Sequence, residues 1–80
     1  MTENNDHCAG ETYCVTLSGS AASDFSAKIN GHGVSPDVTH LGNGKYKVCV
    51  DGTLLNVGDT LVIIKGGSDV ATANIIECEG

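Results

Sequence analysis

The chain has 80 residues, and ten acidic residues against four lysines give it a formal net charge of -6. Because phosphate binding needs concentrated positive charge, this balance argues against nucleic acid and against anionic membrane surfaces as partners. The longest aliphatic run, residues 61–64, is far shorter than the roughly 20 residues of a membrane-spanning helix, so we expect no membrane insertion.

The hydrophobic core is expected to be thin. The only Phe, Tyr or Trp residues are Tyr13, Phe25 and Tyr46, and aromatic side chains bury the most area per residue. A domain of this size therefore needs further stabilisation from disulfides, a metal or a partner subunit.

The amino-terminal segment, residues 1–10, has no apolar periodicity, which predicts a flexible arm, or a tail ordered by a partner, followed by one domain over residues 11–80. The segment also lacks the basic and apolar regions of a secretory signal, so we expect synthesis in the cytoplasm. Residues 12–18 then alternate apolar and polar side chains, which predicts a strand with one wet face.

A turn cluster occupies residues 19–24, and residues 25–30 alternate again as a second strand. A short helix from Ser23 is the competing interpretation. The Gly-rich residues 30–33 favour the strand, because they end the segment too early for a helix of ordinary length. Pro36 then marks a corner.

The most informative stretch is residues 37–64, where alternating segments are separated by Gly-rich corners, as in a meander of short antiparallel strands. Further strands are predicted at residues 38–41, 45–50, 60–65 and 70–77, with a poorly ordered crossing at residues 53–57. The predicted fold class is therefore all-β, a small antiparallel β-sandwich of about six to seven short strands. Its predicted inward side chains are Tyr13, Val15, Leu17, Tyr46, Val48 and Val50.

Two segments break the alternation and are apolar at consecutive positions. A strand that is apolar on both faces is either central and covered twice, or carries one face into a contact with another molecule. Both explanations stay open. The candidate interface residues are Leu61, Val62, Ile63, Ile64, Ile75 and Ile76.

Residues 41–48 (LGNGKYKV), a Gly-polar-Gly hairpin before an aromatic strand, resemble a hairpin of immunoglobulin-like (Ig-like) β-sandwiches. The likeness is in particular to the filamin-type repeat and its bacterial and viral Ig-like relatives, and residues 58–63 (GDTLVI) and 66–67 (GG) add the next strand and its turn. The resemblance implies an Ig-like sandwich with a role in adhesion, spacing or scaffolding. Small freestanding relatives decorate virus capsids or build surface filaments.

Four cysteines, Cys8, Cys14, Cys49 and Cys78, allow three pairings if all are oxidised. In an Ig-like sheet Cys14 and Cys49 would lie on the outer side of neighbouring strands, so the resemblance allows a cross-strand disulfide between them. Cys8 would reach Cys14 only if the arm folded back, and Cys78 would tie down the tail or pair with another chain. Free thiols remain the alternative, since no export signal is present.

Metal-ligating atoms occur without the CxxC or HxxxH spacing of a typical zinc site. The two groups considered are His7, Cys8 and Cys14, and His32, His40 and Cys49. The turn aspartates lack the DxDxDG loop of a calcium site and are expected to make Asx-turns. Ser, His and Asp residues occur without a nucleophile elbow to arrange them. We therefore assign no catalytic, cofactor-binding or metal residues, and expect neither enzymatic activity nor a cofactor.

Three functions are compared. The first is a non-catalytic structural protein, a small Ig-like module that decorates or builds a larger assembly on a virion capsid or an extracellular filament, with protein partners or further copies of itself in an oligomer. The second is an adhesion module that recognises a glycan or peptide through residues 30–36 or at an open sheet edge. The third is a Cys/His metal or redox protein. The thin core, the apolar run and the arm favour the first.

Overall fold

The computed structural model describes residues 4–78 of the chain. Residues 1–3 of the expected arm and residues 79–80 of the expected domain lie outside the described residues. The strands are, in chain order, β1 (Asn4–Cys8), β2 (Tyr13–Ser18), β3 (Phe25–Ile29), β4 (His32–Val34), β5 (Asp37–Gly42), β6 (Lys45–Val50), β7 (Thr60–Lys65) and β8 (Ser68–Ile76).

These strands form two sheets. The larger sheet has the order β1-β8-β7-β3-β4, and the smaller has the order β2-β6-β5. Neighbouring strands are antiparallel except β1 and β8, which are parallel. The prediction of a small all-β sandwich is confirmed, with eight strands in the described chain where six to seven were expected.

The sequence did not predict β1 and β4. β1 falls in the segment for which a flexible arm was expected; its residues, NNDHC, have no apolar alternation, and pairing with β8 along its whole length holds it in the sheet. β4 has only three residues. It follows a turn in which Asn30 and Gly31 have φ values of 52° and 83°, the positive values of an Asn-Gly hairpin. Residues 30–33, which were expected only to end β3, therefore include the turn after which β4 runs back antiparallel to β3.

Two 3-10 turns complete the described chain. Ala22–Asp24 precedes β3, so the helix considered from Ser23 is limited to this turn and the strand prediction holds. Gly52–Leu54 lies in the predicted crossing between β6 and β7. Neither turn has the length or apolar composition to cross a membrane.

The core lies between the two sheets, and strand alternation fills it. Four of the six predicted inward side chains are buried, and the other two, Val15 and Leu17, are partly buried against the core. The larger sheet contributes Phe25, Ala27, Leu61, Ile63, Ala71, Ala73 and Ile75. Phe25 packs on Tyr46 with ring centroids 5.4 Å apart, and Leu55 from the β6–β7 connection is 2% exposed. Burying one large aliphatic or aromatic side chain contributes about 1.5–3 kcal/mol to the free energy of folding. The core has few side chains of this size, so this contribution is limited.

Candidate functional site

All four cysteines form disulfides, one between two strands of the smaller sheet and the other between β1 of the larger sheet and the tail beyond β8. Cys14 of β2 and Cys49 of β6 are directly paired on the outer face of the smaller sheet, with Cα atoms 4.1 Å apart. This is the cross-strand disulfide that the resemblance allowed. Cys8 pairs with Cys78 across a Cα separation of 5.4 Å, so the carboxyl-terminal tail is tied to β1 and not to another chain.

Two of the three histidines make local contacts, and the third, His32, is exposed on β4. His7 Nε2 donates a hydrogen bond to the carbonyl oxygen of Glu11 at 2.7 Å, and its ring meets Tyr13 edge-on at 5.2 Å between centroids. His40 stacks on Tyr46 at 4.8 Å. Sulfur in a disulfide is not the thiolate that binds metals. Within residues 4–78, no three His, Cys, Asp or Glu side chains are placed to hold a metal ion.

The described residues enclose no pocket, so the candidate site is sought on the surface. The six candidate interface residues divide according to the direction in which strand alternation points them. Those that point inward belong to the core and are not available to a partner: Leu61, Ile63 and Ile75. Those that point outward lie outside the core cluster, and we call them the outer aliphatic set: Val62, Ile64 and Ile76.

The outer aliphatic set lies on the outer face of the larger sheet, and two of its members are on β7, the central strand of five. Val62 is flanked by Lys28 on β3 and Thr72 on β8. Ile64 is flanked by Ser26 on β3 and Asp69 on β8. A register shift between Ile63 and Ile64 leaves one extra residue on β8, the arrangement of a β-bulge.

Exposure differs within the set. Ile64 is only 9% exposed and so counts as buried, although it lies outside the main core cluster, and Val62 is half-buried. Ile76, near the end of β8, is 38% exposed. Ile64 therefore offers little surface to a partner, and the exposed aliphatic surface of the set is on Val62 and on Ile76, which is four residues along β8 from Thr72, the neighbour of Val62.

Opposite charges lie on the two sides of β7. Lys28 is on the β3 side. Asp69 is on β8, and Asp6 is one strand further out on β1, where it pairs with Asn74. All three charged side chains are exposed.

A second exposed apolar group lies at the end of the sandwich where the β6–β7 connection meets residues near the chain termini. Leu54 is 46% exposed and Val57 is 57% exposed. The Gly58 N–H donates to the Ile75 carbonyl oxygen at 2.8 Å, which holds the connection against β8. The sequence does not indicate this group, because residues 53–57 show no strand or helix period.

The polar residues at this end have structural partners. Asn30 Nδ2 donates to Asp59 Oδ1 at 2.8 Å, and the Thr60 N–H donates to Asn30 Oδ1 at 2.9 Å. Asp51 Oδ1 accepts from the Thr53 N–H at 2.9 Å and from its hydroxyl at 3.0 Å. Both bonds hold the pKa of the Asp51 carboxyl below its usual value of 3.8, and the bond from the Thr53 backbone N–H has the larger effect. The expectation that a turn aspartate makes an Asx-turn holds at this position.

Comparisons with protein family models, with curated proteins and with solved structures give no match to this chain. The fold, the disulfides and the surface described above are therefore the basis for assigning a function.

Proposed function

We propose that this chain is a non-catalytic structural module, a small Ig-like domain that decorates or builds a larger assembly such as a virion capsid surface or an extracellular filament. The observation that carries the proposal is the covalent bracing of a small frame. One disulfide joins two strands of the smaller sheet, and the other joins β1 to the tail beyond β8 in the larger sheet. Such bracing supports a role in which the domain must keep its shape while attached to other molecules.

The Ig-like part of the proposal is supported by the strand order. The smaller sheet, β2-β6-β5, corresponds to strands B-E-D of an immunoglobulin domain, and β8-β7-β3-β4 corresponds to G-F-C-C′. Here β1 is added beside β8. Neither disulfide joins the two sheets across the core, whereas the typical immunoglobulin disulfide joins strands B and F across it.

The disulfides also support the proposed location. Disulfides persist mainly in oxidising surroundings such as secreted proteins and virion surfaces, and are rare in the reducing cytosol. All four cysteines of this chain are used in such bonds. The proposed site of action is thus a virion or an extracellular surface assembly.

Electron microscopy of the native source material, with a label on this chain, tests the proposed function. We expect the label on a regular particle or filament, and we expect the chain to co-sediment with that particle. A chain that remains an isolated monomer in its source, with no larger complex, would contradict the proposal.

A second candidate is an adhesion module for a peptide or a glycan. It is favoured by Leu54 and Val57, because exposed apolar side chains in a connection at the end of a sandwich are suited to binding. The sequence-based alternative, residues 30–36, contains β4, so part of that segment is a strand and not a loop. A peptide and glycan array compares the wild type with a Leu54→Ser/Val57→Ser variant. Binding that this variant loses would favour the second candidate.

A further inference from the structure

The outer face of the larger sheet carries two aliphatic side chains that keep surface exposed to solvent, Val62 and Ile76. Val62 and Ile64 follow each other on the outward side of the central strand, and neither belongs to the core cluster. Ile76, on β8, points to the same outer face of the sheet. Removing apolar area from water is favourable in association as in folding, so this face can stabilise a contact without any change in the fold.

The charges beside β7 are arranged so that the face is complementary to itself. Neighbouring strands are roughly 4.8 Å apart, which puts Lys28 one strand to one side of β7 and Asp69 one strand to the other side. Asp6 lies one strand beyond Asp69. Along the strands, Lys28 is level with Val62, Asp69 is level with Ile64, and Asp6 is level with Thr60. Along the strand direction, the lysine therefore lies between the two carboxylates.

We propose that two copies of the chain pack through this face as a symmetric dimer, with the two-fold axis in the interface and parallel to β7. Rotation about this axis lays β3 of each copy over β8 of the other. Lys28 of each copy then faces Asp69 and Asp6 of the other, and the Val62 side chains meet near the axis. Sheets that pack face to face lie roughly 10 Å apart, a gap that a lysine side chain can bridge. The inference rests on the proposed function and names the first contact in the assembly.

A second copy suits this face better than a partner of a single charge. A basic partner would be attracted by the net charge of -6 but would meet Lys28 beside the central strand. An acidic partner would be repelled by Asp69 and Asp6 as well as by the net charge. A second copy of this face, related by the two-fold axis, places carboxylates opposite each lysine and a lysine opposite each pair of carboxylates. This mutual pairing is the property of an isologous interface.

Sedimentation velocity of the oxidised chain at about 0.15 M salt, where the screening length is roughly 8 Å, tests the proposal. The salt limits the repulsion between two chains of charge -6, while close Lys–Asp pairs stay attractive. Chain concentrations should extend to about 1 mM, so that a weak dimer is populated. Four variants are compared with the wild type: Val62→Asp, Thr16→Asp, Lys28→Glu, and the double variant Asp6→Lys/Asp69→Lys.

Val62→Asp should weaken the dimer roughly 100-fold, because two charges would be buried near the axis in place of two valines. Thr16→Asp is the matched control, since it adds the same charge to the outer face of the smaller sheet. It should leave the dimer unchanged. Far-UV circular dichroism of each variant establishes that the sheets remain folded.

The charge variants make the test independent of how Val62→Asp folds. Lys28→Glu alone sets acid against acid, and Asp6→Lys/Asp69→Lys alone sets lysine against lysine, so each should be monomeric. Mixed in equal amounts, they should form a one-to-one heterodimer, because each glutamate then meets lysines and each remaining lysine meets aspartates. Native mass spectrometry distinguishes this heterodimer from either homodimer.

Two results would overturn the inference, and both differ from failure of the proposed function. One is a wild type that stays monomeric up to about 1 mM. The other is a wild-type dimer that Val62→Asp and the charge variants leave intact, which would place the contact on another surface. Either result leaves the proposed function to be decided by microscopy of the native particle.

Discussion

The disulfide between Cys8 and Cys78 should be among the largest single contributions to stability. In the chain-entropy account a disulfide restricts the unfolded chain, and its effect grows with the length of the loop that it closes. The two bonds are nested, because Cys14–Cys49, with a sequence separation of 35, lies inside Cys8–Cys78, with a separation of 70. With the inner bond intact, the outer bond closes a loop of only about 35 further residues.

These loop lengths give the expected magnitudes. A loop of 35 residues corresponds to about 3.8 kcal/mol and one of 70 residues to about 4.4 kcal/mol. Closing first the inner and then the outer bond gives about 7.6 kcal/mol for both. Losing the outer bond alone should thus cost about 3.8 kcal/mol, and losing the inner bond alone about 3.2 kcal/mol. A domain of 80 residues has a total stability of about 4–12 kcal/mol, so loss of both bonds is expected to remove most of the stability.

Urea unfolding at 25 °C, followed by far-UV circular dichroism, measures these losses. The proteins are the wild type, Cys8→Ser/Cys78→Ser, Cys14→Ser/Cys49→Ser, and the variant with all four substitutions. The slope of unfolding free energy against urea should rise as bonds are removed, because the unfolded chain then exposes more surface. A loss below about 1 kcal/mol for either pair, or below about 2 kcal/mol for the variant without cysteine, would refute the entropic reasoning.

Three further predictions concern single positions. Gly52→Ala should lower the free energy of unfolding by about 1–3 kcal/mol, because a Cβ at this residue would lie 2.5 Å from the backbone carbon of Glu11. The control Gly33→Ala meets no atom within 4 Å and should change it by less than about 0.5 kcal/mol. Asp51→Asn should make the free energy of unfolding fall less steeply as the pH is lowered. The lowered pKa of Asp51 gives stability that is present above its usual value of 3.8 and is lost as the pH falls through the folded value. Asn30→Ala should cost about 2–3 kcal/mol, because it loses two side-chain hydrogen bonds and puts alanine at a φ of 52°.

Each of these predictions has a specific contradicting result. Equal unfolding midpoints in urea for Gly52→Ala and Gly33→Ala would mean that the backbones of Gly52 and Glu11 can move apart to make room for a Cβ. A carbon-13 NMR titration that places the carboxyl midpoint of Asp51 at or above 3.8 would remove the basis of the acid prediction. Asn30→Gly should recover part of the loss in Asn30→Ala, because glycine accepts the positive φ. Equal losses would assign the whole effect to the hydrogen bonds.

The regular part of the fold was predictable because its residues carry a period. Along β6, Tyr46, Val48 and Val50 point into the core while Lys45 and Lys47 point to water, and this alternation identifies a strand without knowledge of its partners. The hairpin at residues 42–44 was predictable for a similar local reason, since Asn43 has a φ of 55° between two glycines of positive φ.

The remaining elements depend on contacts distant in sequence. β1 is held by a strand that begins 60 residues later and by the Cys8–Cys78 disulfide, neither of which can be read from NNDHC. The candidate interface has the same limit. A run such as residues 61–64 is apolar at every position, and only the register with β3 and β8 separates core residues from the outer aliphatic set.

The bond between Cys8 and Cys78 also decides how the domain responds to pulling. Tension applied to the chain on the far sides of these two cysteines passes directly from sulfur to sulfur and bypasses the residues between them. The oxidised domain is therefore almost inextensible, whereas reduction of both disulfides would release a segment of about 70 residues, or roughly 240 Å of extended chain. A thread or shell made of such units would hold its length under load for as long as this one covalent link stayed closed.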